Sequence, residues 1–170
     1  MDRCYKLIVS LLVFMFVILG SNQGFAEEND LENKSLPAVK TNAKEEKKAV
    51  INLTNEEILL LSKLVTSEAR GESYEGQVAV AAVVINRVKD SRFPNSIEDV
   101  IYQKNAFSVV KNGSINMSPT DEAYKAAQAA LYGEDPTEKA VYFWNPEIST
   151  CKWVQRLNPH MRIGNHVFAK

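Results

Sequence analysis

Cysteine is nearly absent: 170 residues hold two, Cys4 in a basic N-terminal stretch and Cys151 near the end. If the leader is removed only Cys151 remains, which excludes an internal disulfide. Stability must then come from a hydrophobic core, which a domain of over ~100 residues can supply. Histidine is equally scarce. His160 and His166 are the only two and occur without His-Glu-x-x-His or paired-cysteine spacing, so the sequence gives no support to a zinc amidase or peptidase. Cys151 with His166 lacks the helix-start setting and orienting third group of a thiol peptidase. The seven glycines form no phosphate-binding loop, and a formal net charge of -1 offers no electrostatic case for nucleic acid. There are no heptads and no internal repeats. The reading is therefore of a protein needing neither metal nor cofactor.

No apolar run reaches the roughly 20 residues of a membrane-spanning helix. The longest, Leu7 to Gly20, follows Arg3 and Lys6 and precedes small residues at Gly24 and Ala26. This is the pattern of a secretory signal, 1–26, cleaved after Ala26, with an uncleaved anchor as the alternative. Membrane contact is expected only through this segment before cleavage, and the mature protein is expected to be exported. Residues 27–53 mix acids and lysines, contain Pro37 and have no aromatic residue, and so read as a solvated linker.

The folded domain is expected over 54–170. Thr54 and Glu57 form a capping box before the apolar run Ile58 to Leu61, and the pattern continues to about Ala69, with Gly71 placed to end the helix. A second helix, Tyr74 to Lys89, is apolar nearly all round and should be the buried centre. Ser96 and Asp99 predict a short capped helix through Tyr102. A polar loop around Asn112-Gly113 follows, and Ser118-Pro119 should open an alanine-rich helix to Leu131. Ala140 to Trp144 and Ile163 to Phe168 read as two paired strands. The fold class is α+β: mainly helical, with a small C-terminal β-sheet, in one domain.

Three acids, Glu68, Glu72 and Glu75, gather around Ala69-Arg70-Gly71. Breaking a glycosidic bond needs a carboxylic acid held protonated, because the leaving oxygen must receive a proton. Burial between apolar helices would provide that, and Glu68 is the best placed of the three. Taken alone, such a cluster is more often a solvated helix end. The closing segment from Cys151 carries Lys152, Arg156, Arg162 and Lys170 with no acid, which suits an anionic polymer or simply a solvated basic tail.

The residues become specific over Leu64 to Asn86 (LVTSEARGESYEGQVAVAAVVIN), which closely resembles the opening of the catalytic domain of spore cortex-lytic enzymes and related bacterial cell-wall hydrolases. Arg87-Val88, Phe93-Pro94, Ala106-Phe107-Ser108, Tyr142-Phe143, Lys152-Trp153 and Ile163 to Phe168 match in order. The resemblance implies a lysozyme-like fold that cleaves peptidoglycan glycan strands between N-acetylmuramic acid and N-acetylglucosamine, with Glu68 as acid. It further implies a lytic transglycosylase, in which the muramic C6 hydroxyl attacks and no second carboxylate is needed. The turn at Gly71 is expected to direct Glu72 and Glu75 away from the groove. Arg70, Gln103, Phe107 and Ser108 are the substrate-groove candidates, and a monomer in the cell wall or spore envelope is expected. A non-catalytic wall-binding module and a germination accessory protein of the same fold are the alternatives at this level.

Overall fold

The computed structural model describes residues 48–170; the expected signal segment and most of the expected linker lie outside them. Five α-helices precede a three-stranded sheet. They are α1 (Asn55–Glu68), α2 (Tyr74–Lys89), α3 (Ile97–Tyr102), α4 (Ser108–Asn112) and α5 (Asp121–Leu131), followed by β1 (Tyr142–Trp144), β2 (Met161–Ile163) and β3 (His166–Ala169). Single 3₁₀ turns occur at Ser114–Asn116 and Val154–Arg156.

The capping box forms as the sequence predicts: Thr54 Oγ1 accepts from Glu57 N at 3.2 Å and Glu57 Oε2 accepts from Thr54 N at 2.9 Å. Helix α2 is packed against α1, α3, α5, β1 and β2. This encirclement explains why Gly76 to Ile85 are all buried and why the helix has no polar face. The main core joins Leu61, Leu64 and Val65 of α1 to Val80, Val84 and Ile85 of α2 and to the alanines of α5. A second cluster, Ala79, Val83, Ala140 and Phe168, seats the sheet on α2.

Three sequence expectations change. Ile163 to Phe168 is not one strand, because Gly164, with φ +57°, and Asn165 turn the chain between β2 and β3. The sheet is antiparallel in the order β1-β3-β2, with Phe143 opposite Phe168 and Met161 also opposite Phe168. The loop expected before Asn112-Gly113 contains α4. Helix α5 is opened not by Ser118-Pro119 but by Thr120, whose hydroxyl accepts from Ala123 N at 3.1 Å.

The folded unit also extends upstream of Thr54. Val50 N donates to Leu131 O at 2.9 Å, and Ala49, Ile51 and Leu53 pack on the helical core.

Candidate active site

Glu68 is the last residue of α1. The helix stops there because Ala69 caps it, its N–H still bonded to Val65 O at 2.9 Å, and because Gly71 takes φ +85°, a left-handed conformation that costs glycine little. The final turn is tied down from the side. Ser67 Oγ donates to Ser114 O at 2.8 Å, and Thr66 Oγ1 accepts from Thr120 N at 3.1 Å, fastening the helix end to the segment after α4.

The Glu68 side chain is half-buried, and its Oε1 is sealed from solvent without a hydrogen-bond partner among the described residues. Loss of hydration pushes its carboxyl pKa up, against the backbone N–H of Val109 in α4 and the positive charge of Arg87, which both favour the ionised form. The site thus favours a protonated acid yet has two groups ready to steady the carboxylate once the proton has left.

Arg87 lies one turn from the end of α2 and is only 7% exposed. Its Nε donates to Val141 O at 2.7 Å. The guanidinium sits 5.3 Å from the Phe93 ring, 5.1 Å from that of Phe107 and 6.0 Å from that of Tyr142. Burial draws its pKa down to about 10, opposed by Tyr142 and Glu68, so it remains a cation at neutral pH. The aromatic wall continues from Phe107 to Phe143, with centroids 6.3 Å apart, and from Phe143 edge-on to His166 at 5.2 Å.

Beyond Phe143 stands the second acid. The Glu72 side chain is 6% exposed and His166 12%, with Nδ1 3.4 Å from Glu72 Oε1. Burial lowers the His166 pKa more than Glu72 raises it, so this is the contact of a neutral ring with a carboxylate. Asn165 donates to the same carboxylate through its backbone N at 3.2 Å and its Nδ2 at 2.9 Å. Glu75, in the first turn of α2, is exposed.

Of the groove residues expected from sequence, Phe107 and Ser108 stand beside Val109 and hence beside Glu68, with Ser108 exposed and the Phe107 ring buried beneath Arg87. Arg70 is exposed on the turn after α1. Gln103 ends α3, where its carbonyl accepts from Ala106 N at 2.9 Å, and nothing joins it to Glu68. Arg87 and the Glu72, Asn165 and His166 group were missed. A lone cation in the otherwise apolar stretch Val78 to Val88 was the available signal for Arg87. Among the described residues no group of three His, Cys, Asp or Glu side chains is placed to hold a metal ion.

Comparison with known proteins agrees with this arrangement. The family model described as Cell Wall Hydrolase matches residues 71–169, beginning just beyond Glu68. The chain is 44% identical over 117 residues to the spore cortex-lytic enzyme of Bacillus subtilis, covering 69% of this chain and 38% of that protein. Cell wall hydrolase CwlJ of the same organism is 29% identical over 105 residues, covering 58% of this chain and 74% of its own. Two solved structures share the fold. The catalytic domain of the Bacillus cereus SleB protein is 42% identical with a TM-score of 0.66, covering 70% of this chain and 93% of that one. The catalytic domain of the germination-specific lytic transglycosylase SleB from Bacillus anthracis is 42% identical with a TM-score of 0.67, covering 69% and 97%. The chain therefore spans less than half the length of the B. subtilis enzyme but nearly all of the two catalytic domains. With its helical body, its three-stranded sheet and a family match across most of the described residues, the chain belongs to the cell wall hydrolase family.

Proposed function

We propose that this protein cleaves peptidoglycan glycan strands at the N-acetylmuramic acid to N-acetylglucosamine bond, as a lytic transglycosylase with Glu68 as its single acid. The observation that carries the reading is the Glu68 carboxyl: half-buried, raised in pKa by burial, with one oxygen lacking any partner among the described residues. Its kinship with a germination-specific lytic transglycosylase supports the choice of chemistry.

In this reading the protonated Glu68 gives its proton to the glycosidic oxygen as the bond to the muramic anomeric carbon breaks. N-acetylglucosamine leaves with a free hydroxyl, and positive charge develops on the muramic ring. The Glu68 carboxylate, steadied by Arg87 and the Val109 N–H, then accepts the proton of the muramic C6 hydroxyl as that oxygen closes on the anomeric carbon. The product is a 1,6-anhydro end, and Glu68 is protonated again. A water mechanism would want a second carboxylate. Glu72 is a poor candidate, because Asn165 and His166 already occupy its oxygens. Glu75 is exposed, without the burial that perturbs Glu68. Export through residues 1–26, action as a monomer, and a site of action in the wall or spore envelope belong to the same proposal. Ser108 and Arg70, both exposed near the end of α1 or α4, are proposed to line the groove.

Two measurements on one digest test this. Glu68→Gln keeps size and removes the transferable proton, so lysis should fall by at least ~10²–10⁴. Fragments from the native protein should be lighter by one water than hydrolytic ones and should resist borohydride reduction. Full activity in the folded variant would remove Glu68 from the chemistry, and a digest dominated by reducible ends would replace internal attack by water attack.

A further inference from the structure

Glu72 is a carboxylate sealed from solvent whose side-chain partners all come from one hairpin, 93 residues downstream. Asn165 supplies two donors, at 3.2 and 2.9 Å, and His166 Nδ1 approaches to 3.4 Å. The fit leaves no slack. A side chain at Gly164 would put its Cβ inside the contact distance of Glu72 Oε2, and one at Gly76 would stand 3.0 Å from Glu72 Cβ. The backbone of Glu72 is held as firmly: its N–H donates to Ala69 O at 3.1 Å, and its carbonyl accepts from Gln77 Nε2 at 3.4 Å. Ala69 directly follows Glu68, so the turn that carries the acid has one end in α1 and the other clamped to the sheet.

We propose that Glu72 is a positioning residue: gripped by the hairpin of Gly164, Asn165 and His166, it locks the Ala69–Gly71 turn and so sets the direction and burial of the Glu68 carboxyl. This rests on the reading of Glu68 as the acid. Glu72 itself exchanges no proton with the glycan. Releasing the clamp lets the turn swing and admits water to Glu68. The charged group that faces Glu68, Arg87, sits on α2 and stays in its aromatic setting, while the Val109 N–H stays on α4.

The test compares Glu72→Gln, Asn165→Ala and the double variant. Asn165 is exposed, so its truncation leaves the fold intact even if Glu72→Gln does not. Each single variant should lower kcat by about 10–100-fold, the range of a displaced catalytic group, with KM within about threefold of native. The double variant should be no worse than the poorer single, because both break one clamp. A ¹³C titration of the Glu68 carboxyl, assigned by its loss in Glu68→Gln, should move down towards the ordinary carboxyl value in Asn165→Ala. A native titration and native kcat in folded Asn165→Ala would overturn the clamp. Inactivity of Glu72→Gln beside a normal Asn165→Ala would overturn it too, by placing Glu72 in the chemistry. If instead Glu68→Gln stays active, the acid reading fails, and the Glu68 titration still decides the clamp.

Discussion

The arrangement that holds Glu68 ready for acid chemistry also makes it a burden on the fold. Burial raises its pKa above the ordinary 4.5, so the native state binds this proton more tightly than the unfolded chain does. Stability from this group is therefore full below the unfolded value and is lost as pH rises through the folded one. Glutamine at the same place cannot ionise. Thermal melts of Glu68→Gln and the native protein should nearly coincide near pH 4, with the variant pulling ahead as pH rises past the folded pKa. A difference constant with pH would mean that the carboxyl is as well hydrated in the fold as in the open chain. The sequence pointed to Glu68 because an acid in the last turn of a buried helix breaks a local rule. Glu72 breaks no local rule, and its meaning lies in Asn165 and His166, which no periodicity connects to it. Arg87 was equally hidden, since its cation is satisfied by the rings of Phe93, Phe107 and Tyr142 and by the carbonyl of Val141, all brought in from elsewhere in the chain.

Elements long enough to show a period were legible, and the short ones were not. Helices α1 and α2 have three or more turns and clear caps, and their limits were read almost to the residue. Helix α4 has five residues and no side-chain cap, too little for a 3.6-residue repeat to register, although it brings Val109 to Glu68. The β2–β3 hairpin was hidden because Ile163, Val167 and Phe168 look like one interrupted strand, and only the left-handed Gly164 breaks it. Two turn glycines now make a contrast. Gly71 and Gly164 both have positive φ, but a Cβ at Gly71 meets nothing within 4 Å, whereas one at Gly164 strikes the Glu72 carboxylate. Gly71→Ala should cost only the backbone strain, about 1–2 kcal/mol. Gly164→Ala should cost clearly more, because it adds displacement of a buried carboxylate from its donors. Urea unfolding of both variants checks the order, and equal losses would mean that the Glu72 carboxylate yields freely.

At the scale of the whole molecule, the helical body and small sheet were predictable from composition and order, while the upstream edge of the domain was not. Residues 48–53 have the charge and turn content of a spacer up to Lys48, and nothing in Ala49, Val50 and Ile51 by themselves announces a partner. Their role appears only beside α5. The final carbonyls of a helix lack intrahelical donors, and at the end of α5 Val50 N supplies one to Leu131 O. Val50 also closes on the turn after α5, where a Cβ at Gly133 would stand 3.4 Å from Val50 Cγ1. A chain beginning at Lys48 should therefore melt where the full-length protein does and keep its rate on soluble glycan fragments. A chain beginning at Thr54 retains the capping box hydroxyl but loses that hydrogen bond, about 1 kcal/mol, together with the partial burial of Ala49, Ile51 and Leu53. At roughly 3–6 °C per kcal/mol for a domain of this size, its midpoint should drop by at least about 5 °C. Activity measured well below that midpoint should survive, since none of the lost residues approaches Glu68 in sequence or through a recorded contact. Equal midpoints for the two truncations would show that the contacts of 49–53 contribute nothing to the fold.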